Sequence, residues 1–271
     1  MGYGERLLDA GAAPVLSVER VRRLDRHAID GLGWPSVLLM EEAAAGVEEA
    51  VLELLAEARG GEAGECGRVL VLAGVGNNGG DGLAAARRLA TRAGLRGERL
   101  SVRVGLLARK GKPTGDAAVM LRLAEAAGVE VRRWSGGEEG VGAWLEGLAG
   151  DGWVGGGGGG GGGAAGPMVV VDGLLGTGVS GGPRGSAAGA VRWLEAGSLA
   201  GRFAVLAVDV PTGLDADTGR VLDGGVGAVR ATATVALAAS KPGLAAEDAR
   251  EWVGRLQVAP IGLPWSLYEG V

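Results

Sequence analysis

The chain has 271 residues, a net charge of −5 and 56 glycines. Ordinary proteins contain about 7% glycine, so this composition raises disorder as a possibility. A hydrophobic fraction of 47% and a charged fraction of 22% nevertheless provide enough apolar surface for a folded core. The negative charge argues against nucleic acid or an anionic membrane as a partner.

The few cysteines and histidines restrict the chemistry further. Cys66 is the only cysteine, which excludes an intrachain disulfide and fits a reducing compartment. His27 is the only histidine, which excludes a multi-histidine metal site. No apolar run reaches the length of a membrane span, and the N-terminus does not resemble a signal peptide. We therefore expect a cytoplasmic protein, or an organellar one if a transit peptide has been removed.

In chain order, residues 1–14 are predicted to form an N-terminal tail and residues 15–271 a single domain. Ser17 is a candidate N-cap for a helix that runs to Ile29, and a second helix is predicted over 36–58. Strands then alternate with helices: strands over 68–73, 101–107, 129–134, 168–171, 203–208, 231–238 and 256–258, and helices over 82–92, 116–127, 141–148 and 187–196. This alternation predicts a Rossmann-like, doubly wound α/β fold, with a mostly parallel sheet and helices on both faces. The nine glycines over 155–163 are predicted to form a flexible surface loop.

A glycine-rich segment, GVGNNGGDG over residues 74–82, follows the strand predicted over 68–73. Ligands of open α/β sheets bind beyond the carboxyl ends of the strands, where a glycine loop brings backbone N–H groups close to phosphates. The segment lacks the Gly-Lys-Ser/Thr of a Walker A motif. Asn77, Asn78 and Asp81 add side-chain donors and acceptors, although the same residues also suit a simple turn or helix cap.

Two further predicted strands end in an aspartate. Asp172 follows MVVV and enters the turn GLLGTG, and Asp209 follows FAVLAV and enters VPTGLDADTG. Because the carboxyl ends of parallel strands meet at one edge of the sheet, we expect both aspartates to share a pocket with Asn78 and Thr212. One such aspartate often only caps a turn, but three glycine-flanked strand ends together favour a binding site.

The residue types in this pocket indicate its chemistry. The oxygens of Asn78, Asp172 and Thr212 suit a hard cation better than zinc. Asp209 is the candidate general acid or base. Lys241, which follows the next strand, either neutralises substrate phosphate or these carboxylates, or is a solvated lysine at a turn.

With these residues placed, the chain resembles the NAD(P)H-hydrate epimerase family, the YjeF N-terminal domain, over residues 16–264. The resemblance rests on LD at 24–25, LME at 39–41, GVGNNGGDG at 74–82, VDGLLGTG at 171–178, VDVPTGLDADTG at 208–219, SKPGL at 240–244 and IGLP at 261–264. It implies an isomerase that interconverts the R and S forms of NADHX and NADPHX, which are NADH and NADPH hydrated at C6 of the nicotinamide ring. A separate ATP- or ADP-dependent dehydratase would repair the S form.

The resemblance also implies which residues form the site. Two segments and one aspartate would bind the substrate: Asn77, Asn78, Gly79, Gly80, Asp81, Gly176, Thr177, Gly178, Val179, Ser180, Gly181, Gly182 and Asp209. One potassium ion per subunit would be held by Asn78, Asp172 and Thr212. The subunits would form a homodimer, with the second helix as a candidate surface. Thr212 stands where the family usually has serine, and Glu42 stands where many relatives have asparagine.

Two other classes of function stay open at this level. A non-catalytic scaffold of the same fold would bind a ligand or a protein, but such proteins tend to lose pocket residues that are present here. An oxidoreductase that uses intact NAD(P) would be expected to carry an acidic residue at the end of the strand over 101–107, where there is none. An epimerase would invert C6 without redox chemistry, by C6–O cleavage or ring opening and readdition on the other face.

Overall fold

The fold is built on one sheet, whose apolar strands are short and closely spaced along the chain. A computed structural model describes residues 7–60, 67–108, 111–150, 153 and 166–270. The strands within these ranges are β1 (Leu8–Asp9), β2 (Gly67–Ala73), β3 (Leu100–Leu107), β4 (Glu130–Trp134), β5 (Met168–Gly173), β6 (Ala204–Val208), β7 (Ala233–Leu237) and β8 (Arg255–Ala259). Their order is β1-β8-β7-β6-β5-β2-β3-β4, and every pair is parallel except β1 with β8.

Helices follow most of the strands, as parallel connections require. They are α1 (Val18–Arg26), α2 (Ser36–Ala58), α3 (Asn77–Arg96), α4 (Gly115–Ala126), α5 (Val141–Ala149), α6 (Ser186–Leu199), α7 (Arg250–Val253) and α8 (Trp265–Glu269). A π-helical turn over His27–Gly31 extends α1, and 3-10 turns span Pro242–Ala245 and Glu247–Ala249. Ser17 caps α1 as predicted, because its side chain accepts a hydrogen bond from the Arg20 N–H at 3.4 Å.

Alternate residues of the central strands face two separate apolar layers. Val69 and Val71 of β2 pack into a cluster with α2, α3 and α4. Leu70 and Leu72 point the other way and pack with α5 and α6. Both sides of β2 are therefore covered, which explains why its sequence is apolar throughout. The doubly wound α/β fold predicted from the sequence is confirmed.

The structure adds two points to the sequence-based boundaries. Helix α3 begins at Asn77, five residues before the predicted start. Within the segment predicted as a tail, Leu8–Asp9 pairs with β8 as an edge strand. The glycine run over 155–163 lies outside the described residues. The division into a tail and one domain stays a prediction.

Candidate active site

The site lies where the chain reverses its direction of travel across the sheet. From β2 the chain moves outward to β3 and β4, and β5 then returns to the other side of β2 and leads on to β6 and β7. The connections that leave the carboxyl ends of β2 and β5 therefore diverge. Such a switch point leaves a crevice that is the usual ligand site of a doubly wound sheet.

The glycine-rich segment after β2 forms the first turns of α3 and not an extended loop. Gly76 is the N-cap, and the helix begins at Asn77. A Cβ atom on Gly74 would overlap the carbonyl oxygen of Leu174, and a Cβ atom on Gly79 would overlap that of Gly74. Glycine is required at position 74 because the backbones leaving β2 and β5 touch, and at position 79 because the first turn of α3 lies against the backbone of Gly74.

The three residues predicted as ion ligands meet around the backbone of Leu175. Asn78 donates from Nδ2 to the Leu175 carbonyl oxygen at 3.0 Å, and the Leu175 N–H donates to Thr212 Oγ1 at 3.1 Å. Thr212 donates to Asp172 twice, from its hydroxyl to Oδ1 at 2.7 Å and from its N–H to Oδ2 at 2.8 Å. Asp172 and Thr212 are fully buried beneath the floor of the crevice, whereas Asn78 lines it.

Burial is unfavourable for two polar groups of this cluster, the side-chain oxygen of Asn78 and the carboxylate of Asp172. Asn78 Oδ1 is buried and accepts no hydrogen bond from the described residues, an arrangement that costs about 1–3 kcal/mol. Burial raises the pKa of Asp172 to about 6, although hydrogen bonds from Thr212 and Leu174 partly offset that effect. The described part of the chain contains no group of three or more His, Cys, Asp or Glu side chains suited to a metal. A set with one carboxylate and neutral oxygens matches a weakly charged, hard cation better than a divalent one.

Asp209 follows β6 in an unusual backbone conformation. Its φ angle is +65°, in the left-handed region that residues other than glycine seldom adopt. Its N–H donates to the Val235 carbonyl oxygen at 2.8 Å, and its Oδ1 accepts from the Leu237 N–H at 3.2 Å. These bonds tie the Asp209 turn to the neighbouring strand β7. Strained conformations of this kind concentrate at functional sites.

Lys241 is the residue whose role the sequence left most open, and it pairs with Asp209. Its side chain is 1% exposed, and its Nζ donates to Asp209 Oδ1 and to the Leu237 carbonyl oxygen, the latter at 2.9 Å. The interpretation as a solvated turn lysine is therefore wrong, and the interpretation as a partner of the carboxylates is confirmed. The SKPG sequence carries only a turn signal, because burial here depends on β6 and β7 being neighbours.

A cavity of about 540 Å³ opens above these residues, a size typical of small-molecule sites. Eight of the predicted substrate-binding residues line it, namely Asn77, Asn78, Asp81, Gly176, Thr177, Gly178, Val179 and Asp209. The other five do not line it. Gly79 and Gly80 are buried in α3, where Gly80 faces Met40, and Ser180, Gly181 and Gly182 lie farther along the loop.

Helix α1 forms a wall of this cavity, although the sequence analysis assigned none of its residues to the site. Arg22 and Asp25 both line the cavity. Arg22 donates from Nη2 to the Thr177 carbonyl oxygen at 2.7 Å, and the Val18 N–H donates to Asp217 Oδ1 at 2.8 Å. A signal was present in the sequence, because Asp25 follows the apolar Leu24 on a predicted amphipathic helix. Glu42 is exposed and does not line the cavity.

Carboxylates dominate the charge at one end of the cavity. Burial raises the pKa of Asp81 well above its usual range, the negative charges of Asp209 and Asp25 raise it further, and Lys241 lowers it. Burial and the charge of Asp209 raise the pKa of Asp25 in the same way. This end of the cavity can therefore hold a proton on a carboxyl group and favours a positively charged reacting group.

Comparison with known proteins gives a consistent result. The family model described as "YjeF-related protein N-terminus" matches residues 36–243. A protein named NAD(P)H-hydrate epimerase from Rhodopirellula baltica is 32% identical, over 98% of this chain and 93% of its own length. Another of that name from Oenococcus oeni is 31% identical, over 92% of this chain and 96% of its own.

Longer relatives and a solved structure extend this comparison. A protein named bifunctional NAD(P)H-hydrate repair enzyme from Pyrobaculum aerophilum is 37% identical over 89% of this chain, which corresponds to 40% of that protein. The crystal structure of a yeast protein superposes with a TM-score of 0.68, over 94% of this chain and 92% of its own, at 24% identity. That superposition supports the α/β fold independently of the family model.

Proposed function

The chain belongs to the YjeF-related N-terminal family, and from this membership and the cavity we propose that it epimerises hydrated NADH and NADPH. It is an isomerase, an NAD(P)H-hydrate epimerase, which interconverts the R and S forms of NADHX and NADPHX for cofactor repair. Beyond the names of its relatives, one observation carries the proposal. Residues from three strand ends, assigned to substrate by the resemblance, line a single cavity.

The charges of the cavity suggest how the substrate lies in it. The hydrated nicotinamide ring faces Asp209 and Asp81, and the phosphates face the loop that begins at Gly176. Arg22 lies beside that loop and is the exposed cation of the cavity lining. This orientation places opposite charges together at both ends of the ligand.

The chemistry at C6 leaves the oxidation state of the ring unchanged. The C6–O bond breaks as the oxygen takes up a proton and leaves as water, and the N1 electron pair forms an N1=C6 iminium. Water then adds to the other face of C6 and gives up one proton, so atoms and charge balance. Asp209 faces the ring, assists the oxygen's departure and return, and stabilises the cation. The buried carboxyl of Asp81 supplies and recovers the proton.

We also propose one potassium ion per subunit, held by Asn78, Asp172 and Thr212. The unpartnered Asn78 Oδ1, the single buried carboxylate and the threonine hydroxyl fit such an ion. When bound, it would fix the loops that leave β2, β5 and β6 and offset the charge of Asp172. The chemical step is assigned to the protein's own side chains.

The epimerase proposal is tested with R-NADPHX and an S-specific dehydratase, because NADPH is recovered only if the R form is converted. The wild-type chain is expected to support recovery. Asp209→Ala and Asp209→Asn should each lower the rate about 100-fold or more, because each removes the carboxylate that stabilises the cation. Near wild-type turnover in both variants would remove Asp209 from the chemistry, and ligand binding without any turnover by the wild type would favour a scaffold.

The potassium proposal is tested by thermal unfolding in potassium chloride against an equal concentration of tetramethylammonium chloride. Potassium should raise the Tm of the wild type, because an ion that binds only the folded state stabilises it. Thr212→Ser keeps the hydroxyl and should keep this response, whereas Thr212→Val should lose most of it. Equal Tm values for the wild type in both salts would contradict the proposal.

The partners follow from the same chemistry. Relatives named bifunctional repair enzymes indicate that the epimerase works alongside a dehydratase. We propose that a separate dehydratase consumes the S form produced here, in the cytoplasm. Within the described ranges, no helix combines the length and apolarity needed to cross a membrane.

A further inference from the structure

Lys241 has one of the largest fully buried side chains in the described part of the chain. Burying an ammonium group is costly unless charge and hydrogen bonds compensate for it. Its acceptors are Asp209 Oδ1 and the carbonyl oxygen of Leu237. A buried lysine directed at a cavity aspartate calls for a role beyond turn formation.

The hydrogen bonds to Asp209 are unevenly shared between its two oxygens. Lys241 Nζ and the Leu237 N–H both donate to Oδ1. No group of the described residues donates to Oδ2. One oxygen is therefore anchored to the protein, and the other is left for a ligand in the cavity that Asp209 lines.

The charges that surround Asp209 explain why a cation anchors its carboxylate. Asp25 and Asp81 line the same cavity, and negative charge on either of them repels the Asp209 carboxylate. Arg22 is hydrogen bonded at the Thr177 end of the cavity. The Lys241 ammonium is thus the cation in contact with Asp209, and it opposes rotation of the carboxylate away from the other two aspartates.

We infer that Lys241 is a positioning residue of the epimerase reaction, whose ammonium anchors Oδ1 of Asp209 and so presents Oδ2 to the nicotinamide ring. The inference rests on the proposed function. In this role Lys241 acts through Asp209, although its side chain also borders the cavity.

A double-mutant cycle tests this dependence, with kcat and KM for R-NADPHX measured for the wild type, Lys241→Met, Asp209→Asn and the double variant. Lys241→Met is expected to lower kcat about 100-fold and to change KM less than about threefold, because ground-state binding uses other residues. In the Asp209→Asn background the same change should cost less than about threefold in kcat. Losses that multiply in the double variant would overturn the inference.

Two further variants separate positioning from folding. Arg103 is another buried cation, paired with Glu130 at 2.8 Å on strands β3 and β4, away from the cavity lining. Arg103→Met should lower Tm with little change in kcat. Lys241→Gln keeps an N–H donor for Oδ1 without the charge. If Lys241→Met folds, the kcat of Lys241→Gln should be at least tenfold higher than that of Lys241→Met. If Lys241→Met does not fold, the loss of kcat is measured on Lys241→Gln itself. An inactive wild type would overturn the proposed function, whereas an active wild type with undiminished Lys241 variants would overturn this inference alone.

Discussion

Gly79 and Gly94 lie on the same helix and have opposite surroundings. A Cβ atom on Gly79 would overlap the backbone of Gly74, whereas nothing lies within 4 Å of a Cβ atom on Gly94. Only the first position brings the helix against the loop that leaves β2. Glycines of very different importance for packing therefore lie within a few turns of one helix.

Alanine substitutions at these two positions should change the free energy of unfolding in opposite directions. Gly79→Ala is expected to lower the free energy of unfolding by about 1–3 kcal/mol, the usual cost of overpacking. Gly94→Ala should raise it by about 0.5–1 kcal/mol, because alanine favours the helix and finds open space. Urea denaturation at constant pH measures both values. A stabilised Gly79→Ala variant would show that the backbone of Gly74 does not lie as close to Gly79 as the structure places it.

Asp81 should make stability depend on pH. Its pKa is raised in the folded state, chiefly by burial, so the folded state holds the proton more tightly than the unfolded chain. This contribution to stability is full below the unfolded pKa of about 3.9 and is lost as pH rises through the folded pKa. Asparagine at position 81 cannot ionise, so the Asp81→Asn variant avoids this loss of stability at high pH. Its Tm should therefore exceed that of the wild type at pH 8 by about 2–4 °C, with a smaller difference near pH 4.5.

The control for this pH effect is Asp248→Asn, which removes an exposed carboxylate. Its Tm difference from the wild type should be small and nearly the same at both pH values. A Tm difference between Asp81→Asn and the wild type that is the same at both pH values would show that ionising the buried Asp81 carboxyl does not destabilise the protein. Asp209, Asp25 and Lys241 are the charged groups whose interaction with Asp81 sets the size of the effect.

Among the elements, α1 contributes to the cavity from outside the segment that the family model matches. It precedes the segment matched by the family model, yet its residues Arg22 and Asp25 line the cavity. Arg22 reaches the loop at Thr177 with one N–H and has other donors to offer. In the proposed orientation of the substrate, the helix thus brings a cation to the phosphate end of a ligand whose other end faces aspartates.

We expect Arg22→Ala to weaken substrate binding more than it slows the reaction. A charge-assisted hydrogen bond is worth about 1.5–3 kcal/mol, so KM for NADPHX should rise at least about tenfold with little change in kcat. Arg23→Ala removes a neighbouring exposed arginine outside the cavity lining and should leave both constants unchanged. Equal KM values for the two variants would contradict a phosphate contact by Arg22.

Strand and helix positions could be predicted because the apolar pattern is local. The start of α3 could not, since Asn77, Asn78 and the following glycines are poor helix formers, and packing against β5 decides their conformation. Lys241 could not be placed for a similar reason, because its burial depends on a strand far away in sequence. That Asp172 and Asp209 lie at the same edge of the sheet was predictable, since parallel strands bring their carboxyl ends together whatever the details of the loops. That only Asp209 lines the cavity, whereas Asp172 is buried beneath it, could not be read from the strand pattern.

At the scale of the molecule, the sheet has one edge at β4 and the other at the two-residue strand β1. Leu7, next to β1, is 7% exposed and packs in the same core cluster as α2 and α3. Because this residue anchors the edge strand, Leu7→Ala should lower the free energy of unfolding by about 2 kcal/mol or more. The matched change Leu95→Ala removes a side chain that is 84% exposed and should cost less than about 0.5 kcal/mol. Equal costs would show that β1 is not anchored through Leu7.

The homodimer stays a prediction, and the structure changes where its interface would be sought. Eleven residues of α2 are already buried within the chain, so its apolar face is largely covered. The large apolar side chains that remain exposed on this helix and just before it are Leu38 and Leu32. Sedimentation velocity of the wild type is expected to show a dimer, and a monomer at all concentrations would contradict the prediction.

The cavity also has a consequence for the time course of synthesis. Its wall includes Val18 close to one end of the chain and Ile261 close to the other. At about 5–20 residues per second, roughly tens of seconds separate the appearance of these two residues on the ribosome. A nascent chain therefore lacks the complete cavity wall until residue 261 has left the ribosome, and we expect dinucleotide binding to appear only then.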